Sequence, residues 1–167
     1  MDRETAGPAL RLLDLASRGC AVIGAAALAA IVIAYAFEVT ARYLFNAPTE
    51  WAHDLVSYLL AAVVFLVAPD VTRARGHVAI SFLVERLQGP ALVRANRVLA
   101  AVSAIAAGVA AWIVAGEAVR QFERSIVTIA VHPIPKWWVT GIIAVGLALT
   151  ALQFLRHALN TAATPVD

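Results

Sequence analysis

The sequence predicts an all-α membrane protein: four transmembrane helices, both termini cytoplasmic, and a short amphipathic interfacial helix between helices 2 and 3. Three observations predict it. Of 167 residues, 62% are hydrophobic and only 14% charged, with a mean hydropathy of +0.81. A soluble domain of this length cannot bury that much apolar surface, so a bilayer is the expected solvent. Four runs carry no Asp, Glu, Lys or Arg: Gly19 to Phe37, Leu55 to Ala68, Val98 to Gly116 and Trp137 to Leu155. The basic residues, finally, gather on alternate connections.

Roughly 20 apolar residues, rising about 1.5 Å each, cross a hydrocarbon core of about 30 Å. Backbone groups in lipid must be satisfied within the segment, so each run is a helix. The expected spans are 12–42, 50–71, 92–124 and 135–157, within a single domain over 1–167. In the first, Pro8 suits a helix start, and Asp14 and Arg18 are spaced as an i,i+4 pair. Ala34-Tyr35-Ala36 has the small-x-small form of a signal cleavage site. The run is longer than a usual signal core and three more spans follow, so it is expected to remain as an anchor. The second is the shortest, bounded by Asp54 and Asp70. The third continues helically through Glu117, Arg120, Gln121, Glu123 and Arg124. His132-Pro133-Ile134-Pro135 then turns the chain into the fourth.

Arg3, Arg11, Arg18, Arg73, Arg75, Arg86, Arg94, Arg97 and Arg156 fall on one side of these spans. Arg42, Arg120, Arg124 and Lys136 fall on the other. The positive-inside rule puts the termini and the middle connection in the cytoplasm. Trp51, Trp137 and Trp138, with Tyr43 and Trp112 nearby, then form an aromatic belt on the outer face. In the middle connection His77, Ser81, Glu85 and Gln88 recur at helical spacing among Val78, Ile80, Phe82, Leu83, Val84 and Leu87. That pattern predicts an interfacial helix over 77–88 that either rests on lipid or docks a partner.

The spans contain little polar chemistry. Ser57, Tyr58, Ser103, Thr140 and Thr150 read as the only clearly polar side chains well inside them, and no span has a proline or a carboxylate near its centre. A carrier that moves charged solutes by itself needs intramembrane ionisable groups or broken helices. No nucleophile constellation, phosphate loop or zinc spacing is present, so no enzymatic activity and no cofactor is expected. Nothing in the charge pattern suggests nucleic acid. Four histidines leave one rival reading, a di-haem electron-transfer subunit with His53 and His132 near one face and His77 and His157 near the other. A self-sufficient carrier or channel is the second rival. The single Cys20 offers no internal disulfide. Small residues recur at i,i+4 in Ala26/Ala30/Ala34, Ala100/Ala104/Gly108 and Ser103/Ala107/Ala111, faces on which helices can approach closely.

The densest chemistry lies in RYLFNAPTEWAHDL, residues 42–55. Glu38 and Arg42 are an i,i+4 pair at the end of the first helix. Asn46-Ala47-Pro48 reads as a turn, with Pro48 or Thr49 opening the next helix. Glu50 and Asp54 near its first turn suit the positive dipole end, and Trp51 suits an interface anchor.

Arg42-Tyr43-Leu44-Phe45-Asn46-Ala47-Pro48-Thr49-Glu50-Trp51 resembles the signature of the small membrane subunit (the DctQ-like small permease component) of tripartite ATP-independent periplasmic (TRAP) transporters. Gly76-His77-Val78 with Leu83 and Arg86-Leu87, and Pro135-Lys136-Trp137-Trp138-Val139, are similar to two further stretches of that family. The chain departs from the family pattern at His53, Ser81 and Thr140, where acidic residues or a tyrosine are usual. The resemblance implies a subunit of the bacterial inner membrane that scaffolds a large membrane subunit. That larger partner would carry the sodium and substrate sites and take up an organic acid delivered by a periplasmic binding protein. It also implies partner-facing or structural roles for Arg42, Asn46, Pro48, Trp51 and Asp54 at the outer end, with Trp137 and Trp138, and for His77 and Glu85 on the inner face.

Overall fold

The computed structural model describes residues 8–74, 90–129 and 133–160. They form four α-helices: α1 Pro8–Phe45, α2 Ala52–Arg73, α3 Pro90–Glu123 and α4 Lys136–Asn160. All four are long and apolar enough to cross a membrane, as the hydropathy pattern predicts. The interfacial helix expected over 77–88 lies outside the described residues, as do His77 and Glu85. The helices have two lengths. At about 1.5 Å per residue, α2 spans about 33 Å and α4 about 38 Å, close to a hydrocarbon core of about 30 Å. α1 reaches about 57 Å and α3 about 51 Å, so both run well beyond it.

The ends follow local chemistry. α1 closes where Asn46 takes a left-handed φ of 48°, and the Ala47 N–H turns back to the Ala41 carbonyl at 3.1 Å. Asparagine tolerates that conformation better than most residues. α3 ends in a Schellman motif with Ser125 at φ 49°. The Ile126 N–H reaches the Gln121 carbonyl (3.0 Å) and the Ser125 N–H that of Phe122 (3.1 Å). An isolated antiparallel bridge, Val127 to Pro135, then closes the way into α4. α2 starts later than the turn residues predict, at Ala52 rather than at Pro48 or Thr49. Thr49 is not free to open a helix, because both its N–H and its hydroxyl are bonded to Glu38.

Packing follows the order α1–α2–α4–α3: α2 sits between α1 and α4, and α3 packs almost wholly on α4. This is an open array rather than a closed four-helix bundle. In lipid the hydrophobic effect does not drive apolar helices together, so close van der Waals contact and hydrogen bonds must hold them. α1 supplies a narrow seam repeating every seven residues: Ser17, Gly24, Ile31 and Glu38 in one row, Cys20, Ala27, Ala34 and Ala41 in the other. That is the spacing of a coiled-coil seam. It corrects the row Ala26/Ala30/Ala34, of which Ala26 is exposed and only Ala34 buried. On α3 the seam runs through Ala100, Ala104, Ala107, Ala111, Val114, Ala118 and Gln121. Ser103 lies half-buried beside that face, and Gly108 opens on empty space.

Two glycines mark close crossings. A Cβ on Gly24 would lie 2.6 Å from Val67 Cγ2, where α1 meets α2. A Cβ on Gly146 would lie 2.1 Å from the Phe65 carbonyl oxygen, so α4 and α2 touch there backbone to backbone. The cause is legible one turn along α2. Pro69 is fully buried inside the helix and has no N–H to give the Phe65 carbonyl four residues earlier. That oxygen instead lies against the Gly146 Cα, a Cα–H···O contact of the kind found between closely packed helices.

Candidate functional site

Polar side chains concentrate at the two ends of the array. One is the turn end, holding the α1–α2 and α3–α4 connections; the other is the terminal end, where α1 begins and α4 finishes. At the turn end the organising residue is Glu38, which is only 7% exposed although it carries a charge. A buried carboxylate is costly unless hydrogen-bonded, and this one is bonded on both oxygens. Oε1 accepts from Arg42 Nε (3.1 Å) and Nη2. Oε2 accepts from the Thr49 N–H (2.8 Å) and from the Thr49 hydroxyl. The turn 46–51 is thereby tied to the last two turns of α1.

Arg42 is thus placed by Glu38, with its side chain largely exposed beyond the pair. Asn46 supplies the left-handed residue that ends α1, and Pro48 sits exposed in the turn. Trp51 immediately precedes α2 with no side-chain cap and packs instead on Phe37, ring centroids 6.0 Å apart. It stands between two apolar grooves. One, between α1 and α2, is lined by Ala30, Ile33, Ala34, Phe37, Trp51 and Leu55. The other, between α2 and α4, holds Asp54 and Trp138 as well as Trp51. Trp137 faces away from it, edge-on to Phe122 of α3 at 5.5 Å and to Trp138 at 6.1 Å. The structure therefore joins Arg42 and Trp51 through Glu38 and Phe37, and sets Trp51, Asp54 and Trp138 along one groove, with Trp137 turned to the α3 side.

The second hairpin repeats the device with different residues. The buried Gln121 donates from Nε2 to Glu117 Oε1 (2.9 Å) and accepts the Thr140 hydroxyl on Oε1 (2.8 Å). Arg120 holds both oxygens of Glu117 at 2.8 and 2.9 Å. Thr140, one of the polar residues seen within the spans, thus bridges α4 to α3.

At the terminal end the partners lie far apart in sequence. Ser17 and Gln153 are both wholly buried, and Gln153 Nε2 donates to Ser17 Oγ at 2.9 Å. The Ser17 proton goes to the Leu13 carbonyl at 2.9 Å, so Oγ can only accept from Gln153. Arg156 Nη1 meets Asp14 Oδ1 at 2.6 Å. Asp14 thus reaches across to α4, where the i,i+4 spacing had offered Arg18. His157 Nε2 donates to the Thr72 carbonyl at 2.8 Å, tying the end of α4 to that of α2. Gln153 was missed in the reading of the spans, although it lies inside the fourth apolar run. A lone amide among Leu, Ala and Phe is a visible signal. Ser17 lies outside any charge-free run, and only the fold joins the two.

Four further hydroxyls bond their own helices. Thr40, Ser57, Thr72 and Thr150 each donate to the carbonyl four residues back, at 2.8 to 2.9 Å. Among the described residues no group of three or more His, Cys, Asp or Glu could hold a metal ion.

This arrangement, with membrane-crossing helices and polar groups spent on tying them together, suits a component of something larger. No curated protein matches the chain. A family model described as "Tripartite ATP-independent periplasmic transporters, DctQ component" matches residues 30–164, from the middle of α1 past the end of α4. The chain therefore belongs to the DctQ family and is the small membrane component of a TRAP transporter.

Proposed function

We propose that this chain is a fixed scaffold for a large permease subunit, which performs sodium-coupled uptake of an organic acid delivered by a periplasmic binding protein. The observation that carries this reading is how the polar groups are used. The ties built on Glu38, Gln121 and Gln153 join helix to helix or helix to turn, and the Ser57 and Thr150 hydroxyls within the spans donate to their own helix backbones. Moving a charged solute requires polar groups that face a path through the membrane. An open array with most of α1 and α3 turned outward suits bracing a neighbour. The sodium and substrate sites then belong to the large subunit, and this chain needs no cofactor.

The chain sits in the bacterial inner membrane with both termini in the cytoplasm, a placement supported by its basic residues. The turn end, with Arg42, Asn46, Pro48, Trp51, Asp54, Trp137 and Trp138, then faces the periplasm. His77 and Glu85 of the middle connection serve the inner face. The binding protein meets the complex on the periplasmic side.

Affinity purification of this chain from native membranes should bring down a membrane protein of about twelve spans. Arg42→Ala and Trp51→Ala should each weaken that association and slow uptake. Unchanged assembly and uptake in both variants would overturn the docking role. Liposomes containing this chain alone should take up no organic acid, and uptake there would overturn the scaffold reading itself.

A further inference from the structure

Three helices carry charge-free runs of equal length. Arg18 to Glu38 on α1, Arg97 to Glu117 on α3 and Lys136 to Arg156 on α4 each cover about 30 Å of helix axis. The contacts between the helices do not set these runs level. Gln121 of α3 bonds to Thr140 of α4. Glu117 lies one turn from Gln121 toward the terminal end, and Lys136 one turn from Thr140 toward the turn end. Glu117 is therefore displaced about 12 Å from Lys136 along the axes. Ser17 of α1 bonds to Gln153 of α4, and Asp14 to Arg156, which sets Arg18 about 6 Å from Arg156 in the opposite sense. The runs of α1 and α3, on opposite edges of the array, are thus staggered by about 18 Å.

A bilayer perpendicular to the helix axes cannot serve both edges. Centred on α4, it would put Glu117 about 12 Å and Arg120 about 8 Å inside the hydrocarbon, with side chains 38% and 55% exposed. Charged side chains at that depth are costly. The Trp112 ring, 82% exposed, would face the middle of the bilayer, and the exposed Val98 and Val102 would stand in water beyond its far side. Leaning the array removes all of these conflicts together. Its outer boundary then crosses α3 at Glu117, which leaves Trp112 about 8 Å inside, near the level where indole rings gather. Val98 and Val102 fall within the hydrocarbon.

We propose that the bilayer crosses this array obliquely, with the helices leaning about 30° from its normal in the plane of the array, so that the three charge-free runs lie at one depth. The angle follows from a stagger of about 18 Å over three helix spacings of about 9 Å each, and lies within the range of transmembrane helices. One membrane surface meets the exposed Arg18 and Arg97; the other meets the ion pairs Glu38–Arg42 and Glu117–Arg120. Each run then crosses about 26 Å, and the long arginine side chains extend to the headgroups to make up the remainder. Between the two surfaces the array shifts sideways by about 15 Å, so the chain meets different neighbours in the two leaflets. The proposal goes beyond the scaffold role and does not depend on it, because orientation is read on this chain without its partner.

The test uses the full chain in bilayers of phosphatidylethanolamine and phosphatidylglycerol. Oriented-sample NMR of the labelled backbone should give helix tilts near 30°. Tilts below about 15° would overturn the proposal, including the case in which the helices slide past one another and bring their runs level while standing upright. Spin labels read the direction of the lean. In a Cys20→Ala background, labels at Val39→Cys, Val119→Cys, Leu28→Cys and Ile105→Cys, all exposed positions, are ranked by collision with oxygen and with a nickel chelate. Val39 on α1 and Val119 on α3 should both lie at headgroup level, within about 5 Å of one depth. Leu28 and Ile105 should both lie near the bilayer centre. An upright array instead places Val119 about 16 Å deeper than Val39 and brings Ile105 to the far surface. Either of those depths would overturn the proposal, even with tilts near 30°, since the lean would then lie outside the plane of the array.

Discussion

The two ends of the molecule are held by the same kinds of bond used over different distances. At the turn end Glu38 reaches Thr49 and Gln121 reaches Thr140, each closing its own hairpin. At the terminal end Ser17 reaches Gln153, Asp14 reaches Arg156, and Thr72 reaches His157, each joining helices that are not consecutive. The first set shapes turns. The second decides where α1 lies relative to α4, because those two helices meet hardly anywhere else. A hairpin can form its own tie as soon as both helices are inserted, whereas the terminal ties must wait for the whole array.

The sharpest way to break this comparison is at the midpoint that both ends share. Gly146→Leu would drive a side chain into the Phe65 carbonyl, with no flexible neighbour to give way. It should cost about 3 kcal/mol, at the upper end for overpacked contacts, read as a loss of thermal stability in detergent. Crosslinks across both ends should fall together. Next in size is Glu38→Ala, which strands Arg42 and the Thr49 N–H and should disorder the turn while leaving the Ser17–Gln153 contact intact. Hydrogen exchange should speed at 46–51 and stay unchanged near Gln153. If protection near Gln153 falls as well, the two ends are not independent.

The terminal end should show an asymmetry that the turn end lacks. Gln153 Oε1 is buried with no hydrogen-bond partner among the described residues. Ser17→Ala leaves the Nε2 donor unsatisfied as well and should cost about 1 kcal/mol. Gln153→Leu removes both polar atoms together and should be near neutral, since replacing a part-satisfied buried group by an apolar one forfeits little. A larger loss for Gln153→Leu than for Ser17→Ala would mean that Oε1 is engaged in the assembled protein. The smallest effect is expected for Asp14→Asn, about 0.5 kcal/mol and shrinking with added salt, as for a partly solvated ion pair.

Much of this architecture is legible in the sequence because lipid imposes simple demands. Charge-free runs must be helices, and Asn46, Pro48 and Pro135 mark the places where the chain turns. The Glu38–Arg42 pair follows from i,i+4 spacing. Its third member, Thr49, does not, because the link crosses a turn whose path is set by tertiary contact. The helix faces are equally opaque. With alanine so common, Ala26/Ala30/Ala34 looks as good as Ala27/Ala34/Ala41, and only the crossing with α2 chooses between them. Gly108 and Gly146 look alike as letters, yet one opens on empty space and the other on a carbonyl. At the candidate site, Trp51, Asp54 and Trp138 could each be named from local pattern, but their meeting along one groove required the pairing of α2 with α4.

The oxygen that Pro69 leaves without a donor sets a rule for how this chain can change over generations. With proline at 69, a Cβ at 146 would meet the Phe65 carbonyl oxygen at 2.1 Å, which disfavours any residue but glycine there. Were Pro69→Ala to come first, the restored N–H would draw the Phe65 oxygen inward and open 146 to alanine. Taken in the opposite order, alanine at 146 meets that oxygen while it still lacks a donor, so of the two routes to this pair the one that changes 69 first is the passable one.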